Sequence, residues 1–337
     1  MYREKSLNQK LQDQEKDYQQ LFEYQLYAQF KQKDWCQSMA FTKGNQLLII
    51  QCKTFIKVLS ILQGQINQIK ILSSHKTYLT TITILQKINL LISTSQEGYI
   101  HIWSLIPIAK PIIIKKFDTT SSYVSCLINN ESCDLIITGN NNIINFWKNP
   151  MKWFLIQSIN DHAGAVWALS LNQNENKLIS CGWDKMILII VKQSDENWIV
   201  TQKVFVQQYG YRICFLDNDQ FLYQPRYKKA IILYQILDNG CQVEKVKEIE
   251  LTQTSKDCNA FFPMQFEKQK KIILNKNGDT IIILKVIGQG QIQIMQFIYF
   301  ESYNIFGKMS EDGQLLAIWD ESKKNLQIRK LQYYSLE

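Results

Sequence analysis

The chain has 337 residues, 46% of them hydrophobic and only 20% charged, with a formal net charge of +8. That balance excludes an intrinsically disordered chain, which needs low hydrophobicity and high charge. Lys and Arg are spread along the sequence rather than blocked, so they read first as solvated side chains, and a nucleic-acid partner is not expected. The eight cysteines include no C-x-x-C pair and no Cys/His cluster with zinc-site spacing. No metal or other cofactor is therefore expected. Several cysteines lie among apolar residues, where Cys packs as a small hydrophobe, and a reducing intracellular setting is the expectation. The start, MYREKSLNQK, lacks the apolar core of a signal peptide, and no apolar run approaches the ~20 residues of a membrane helix. A cytoplasmic protein is expected.

Residues 1–20 are polar and Gln-rich, with Leu7, Leu11, Tyr18 and Leu21 near helical spacing. The spacing predicts a short helix, too short for the sustained heptads of a coiled coil, although a partner contact through it stays open. From residue 21 to 337 there is no linker, and the stretch reads as one domain. Leu21–Phe30 (LFEYQLYAQF) alternates well enough to be a strand. Sets of three apolar segments then recur, separated by Asn, Gln and Gly turns. The first covers Trp35–Ile61, with Gln65–Leu72 as an outer strand. The next two span Lys76–Ile106 and Thr119–Lys148, with outer strands Pro111–Phe117 and Lys152–Ile159. The fourth runs from Asn160 to Lys192, followed by Trp198–Val206. The fifth begins near Tyr211, the sixth covers Phe261–Ile287 and the seventh Tyr303–Leu331.

Three of these sets share more than rhythm. The fourth reads NDHAGAVWALSLNQNENKLISCGWDKMILIIVK, with His162 preceding Asp184 by 22 residues. The same spacing separates His75 from Glu97 in the second set and Thr119 from Asn141 in the third. Trp103 and Trp147 each fall six residues after the acid position, where the fourth set has Ile190. This pattern resembles the WD40 repeat, the blade of a β-propeller, whose period is ~40–45 residues. The resemblance implies an all-β, seven-bladed propeller, with Leu21–Phe30 as the outer strand of the last blade, closing the ring. It also implies a buried network of His, a second-strand hydroxyl and a turn acid, here His162, Ser180 and Asp184. His75, Glu97, Trp103 and Trp147 are its counterparts elsewhere. Blades five to seven depart from the pattern: Lys228 and Tyr234 stand at the acid and Trp positions of the fifth. The seventh keeps the dipeptide Trp319-Asp320.

No nucleophile, zinc-protease or phosphate-loop motif is present, and two of the three histidines belong to the repeat. Gly288-Gln289-Gly290-Gln291 reads as a hairpin turn, and no enzyme is expected. WD40 propellers typically act as rigid platforms that bind proteins where the inner strands open onto the central channel. Trp167, Tyr211, Arg212, Arg226, Tyr227 and Lys228 are the candidate partner-binding residues, because aromatics with Arg are the composition of interface hot spots. The alternative for Trp167 and Tyr211 is that they fill the channel, and for the RYKK run a solvated turn. The expected function is a non-catalytic interaction scaffold, a monomeric propeller within a complex. Two other readings stay open. One is a platform similar to the cytosolic iron–sulfur assembly propeller, and the other is a basic face binding RNA or phosphoinositide.

Overall fold

A computed structural model describes residues 21–73, 75–106, 111–119, 123–149, 153–251, 258–288 and 291–334. The predicted helix at 1–20 and the middle of the Gly288–Gln291 turn lie outside them. The described residues form seven antiparallel sheets of four strands each. The inner strands are Met39–Phe41, Leu79–Leu85, Cys126–Asn129, Val166–Leu171, Gly210–Phe215, Gln265–Glu267 and Ile305–Met309, in blades one to seven. The only helical pieces among the described residues are the 3-10 turns Lys43–Asn45 and Asp238–Gly240.

Burial follows position within a blade. Second strands such as Lys177–Gly182 and Leu135–Gly139 are buried at every residue, because a neighbouring blade covers each face. They therefore read as continuous apolar runs rather than as alternating strands. Outer strands such as Ile112–Asp118 have one face toward solvent and alternate. The β-branched residues that fill both kinds suit this pleated surface.

Seven apolar clusters occupy the seven blade-to-blade interfaces. Leu135, Phe146, Val166, Leu178 and Trp198 join blades three and four, and Ile179, Ile187, Phe215 and Tyr223 join blades four and five. Phe41, Leu48, Phe306 and Trp319 join blade seven back to blade one. A ring whose every member packs on two others leaves no sheet face open. Leu21–Lys31 pairs antiparallel with Asn325–Tyr334 as the outermost strand of the seventh sheet. Its register breaks between Leu26 and Ala28, and the outer pairing of each other blade has a comparable break, as at Ile189/Ile190 in blade four. Such bulges increase the local twist, which a blade needs as it turns outward from the axis. The fifth blade's outer strand is Gln242–Glu250, a polar, mostly exposed segment with no repeat signature in the sequence.

Candidate partner-docking site at the channel mouth

In blade four the turn after Lys177–Gly182 carries Asp184. Its Oδ2 accepts from His162 Nδ1 at 2.7 Å and from the Ala163 amide at 2.8 Å, and its Oδ1 accepts from the Met186 amide at 3.1 Å. His162 Nε2 meets Ser180 Oγ at 2.8 Å. Because a carboxylate can only accept, Nδ1 carries the proton toward Asp184. Burial pushes the Asp184 carboxyl up, but the bond from His162 and the two amides outweigh it and hold the group below its ordinary range. Gly182 makes the approach feasible: a Cβ there would lie 2.9 Å from Ala165 O and 3.0 Å from both Asp184 Oδ1 and His162 Nδ1.

The other blades build this corner differently. In blade two Ser93 Oγ accepts from Trp103 Nε1 at 2.9 Å and lies 2.8 Å from His75 Nε2. Glu97 accepts from the Lys76 amide at 3.3 Å rather than from His75, whose Nδ1 has no partner. His75 instead stacks on His101 with ring centroids 3.9 Å apart. Burial, then His101 and Lys116, pull His75 down to about 3, and burial with Lys116 pulls His101 down to about 4. In blade three Asn140, not the aligned Asn141, donates to Thr119 Oγ1 at 3.0 Å, and Trp147 Nε1 donates to Thr138 Oγ1 at 3.2 Å. Trp319 of blade seven points into the core and donates to Gln32 O at 3.0 Å, while Asp320 accepts from the Ser322 amide. The dipeptide there does not occupy the turn position of Trp183-Asp184.

Beside the blade-four corner lies a cluster of aromatic rings. Trp167 and Tyr211 are each the unpaired residue of a bulge in an inner strand, between Val166 and Ala168 and between Gly210 and Arg212. A bulge re-aims the side chain it carries, and here both turn toward one another. Trp167 meets Tyr211 edge-on at 5.4 Å, Trp183 at 6.0 Å and Phe261 at 6.1 Å. Tyr209 lies 5.7 Å from Tyr211 and 6.1 Å from Trp183. Arg226 sits over Tyr227, Tyr211 and Tyr209 at 4.4, 5.3 and 5.5 Å, and donates to the Tyr209 hydroxyl. Burial opposes ionisation of Tyr209, but bonds from Trp183 and Arg226 hold its hydroxyl below the ordinary range. Trp183 and Tyr227 are 54% and 57% exposed. The result is a rigid, half-solvated surface with an arginine at its centre. Trp167, Tyr211 and Phe261 also line a central cavity of about 100 Å³, together with residues of the other blades such as Ser38, Thr81, Ser125 and Lys308.

Residues 153–190 match the family described as "WD domain, G-beta repeat". A chain of the solved "Crystal Structure of Mitotic Checkpoint Complex" superposes with a TM-score of 0.74 over 92% of either chain, at 13% sequence identity. The chain carries one segment that matches the WD40 repeat and has the fold of a seven-bladed β-propeller. No curated protein matches the sequence.

In this propeller the six candidate partner-binding residues part company. Trp167, Tyr211, Arg226 and Tyr227 converge. Arg212 is 2% exposed and faces blade six, donating from Nη2 to Asn259 O at 2.6 Å, so it is removed from any docking partner. Lys228 is paired with Glu248 at 2.7 Å. Trp183, Tyr209 and Phe261 complete the surface, and sequence reasoning missed them. Trp183 reads in the sequence as part of the repeat's dipeptide; Tyr209, two residues before Tyr211, is the one that clustering of aromatics along the chain signals. Among the described residues no group of three or more His, Cys, Asp or Glu could hold a metal ion, and no helix is long and apolar enough to cross a membrane.

Proposed function

We propose that this propeller is a non-catalytic scaffold, and that a protein partner docks on the channel-mouth surface formed by Trp183, Tyr209, Tyr211, Arg226 and Tyr227. The observation that carries the reading is Arg226 stacked among the rings of buried Tyr211, half-buried Tyr209 and exposed Tyr227, beside exposed Trp183. Such rings are rigid and amphipathic, and they lose little conformational entropy on binding. Arg226 is held by three rings and one hydroxyl, so its guanidinium meets a partner with little further ordering cost, although its Nε is buried. Pairing of Leu21–Lys31 with the last blade is read as the closure that keeps the ring stiff. No specific observation favours the iron–sulfur assembly or the RNA and phosphoinositide readings.

The test compares proteins recovered by the intact chain and by a Trp183→Ala/Arg226→Ala double variant, quantified by mass spectrometry of material from the native cell. A specific partner should fall at least tenfold on the variant, with the melting temperature unchanged within about 2 °C. A partner retained in full by the variant would place docking elsewhere.

A further inference from the structure

Two cations are buried on either side of blade six, Arg212 at its interface with blade five and Lys276 on the face toward blade seven. Arg212 is 2% exposed and Lys276 is fully enclosed, and among the described residues neither is in an ion pair. Lys276 Nζ donates to Tyr303 O at 2.7 Å and stands 5.7 Å over the Phe306 ring. Arg212 Nη1 points at Cys258 Sγ from 3.1 Å, and its Nε, also buried, has no partner. Cys258 precedes the inner strand of blade six as His162 precedes that of blade four. The Gly278 amide, in the turn between the second and third strands, favours the ionised sulfur. Two desolvated cations need an anion nearby or one must give up its charge. Asp279 acts on Lys276, and among the described residues the group in contact with the Arg212 guanidinium that can become an anion is the Cys258 thiol.

We propose that Cys258 is a thiolate held by Arg212 and Lys276, and that it is a modification site for small electrophiles, hydroperoxides in particular. The thiolate displaces alkoxide or hydroxide from the peroxide: an S–O bond forms, the O–O bond breaks, and sulfur loses two electrons. The leaving oxygen takes its proton from water, and the cysteine becomes a sulfenic acid. Arg212 Nε is a buried donor without a partner, on the guanidinium whose Nη1 lies 3.1 Å from the sulfur. The charges around the sulfur support this assignment. Burial alone would push the Cys258 thiol up, whereas Arg212, Lys276 and the Gly278 amide hold it below its ordinary range. Lys276 is pulled down to about 7 by burial, with Cys258 opposing, Arg212 adding to the fall and Asp279 opposing. The buried thiols Cys181 and Cys214, and Cys126, half-buried like Cys258, are pushed up by burial. Cys258 as a residue is half-buried, whereas Cys181 and Cys214 are buried. This inference does not rest on the docking reading.

The test measures iodoacetamide alkylation of each cysteine in the folded chain from pH 6 to pH 9.5, by peptide mass spectrometry. The exposed Cys241 is the internal reference. Cys258 should reach its plateau rate at lower pH than Cys241, and at pH 7 with hydrogen peroxide it should be trapped by a cyclic 1,3-dione while Cys241 is not. Arg212→Gln should cut the Cys258 rate at pH 7 about tenfold and leave Cys241 unchanged; Lys276→Met provides the same comparison if the first variant does not fold. A Cys258 profile that follows Cys241, or reaction only after denaturation, would overturn the proposal.

Discussion

Replacing Asp184 by Ala removes one carboxylate that serves three donors, and the cost can be worked from their surroundings. His162 Nδ1 is fully enclosed and loses a charge-assisted bond of 2.7 Å, worth about 2–3 kcal/mol. The Met186 amide, within a buried strand, adds about 1 kcal/mol. Ala163 is exposed, so water takes over its amide at little cost. The sum is about 3–4 kcal/mol, which for a chain of this size corresponds to a fall of roughly 5 °C in melting temperature. Asp184→Asn keeps an acceptor oxygen but not the charge, and should fall about half as far. Differential scanning calorimetry at pH 7 separates the three proteins. If Asp184→Ala melts with the parent, the corner contributes nothing to stability and the bond-by-bond reasoning fails.

Acid should weaken blade two in particular. His75 and His101 are depressed to about 3 and about 4, whereas an unfolded His titrates near 6.5. The unfolded chain therefore binds protons first as pH falls. The stability these residues contribute is complete above about pH 6.5 and is lost progressively toward pH 4 and below. For His75 this amounts to about 3 kcal/mol by pH 4, and His75→Gln should shrink the drop in melting temperature between pH 7 and pH 4. An unchanged drop would show that the pair does not govern acid sensitivity. Separately, Lys185 holds a left-handed φ of 60° in the blade-four turn, where the blade-two turn has Gly98 at 80°. Lys185→Gly should raise stability by about 0.5 kcal/mol in denaturant titration; a lower midpoint would mean that the lysine side chain outweighs the relieved strain.

Much of the ring was legible because two periodicities coincide. The His-to-acid spacing marks blades two to four, and the apolar runs of second and third strands persist where that signature is lost, as in Ala230–Leu237. The corner chemistry was less legible. Asn140 replaces the aligned Asn141 because a one-residue change at a turn redirects a side chain that spacing alone cannot orient. Glu97 has the expected position, yet its carboxylate goes to a backbone amide. The docking surface was hardest to read, since Trp183, Tyr209 and Phe261 come from three loops of different blades. Their meeting depends on two bulges that no apolar pattern announces. Arg212 was misplaced for a related reason: beside a bulge, strand alternation sends it into the blade interface instead of toward the mouth.

The most direct measurement places a photoactivatable cross-linking residue at Trp183 in one protein and at Phe205, 78% exposed on the outer strand of blade four, in another. A copurifying partner should be captured from position 183 and not from position 205. Capture from the outer strand alone would contradict docking at the channel mouth.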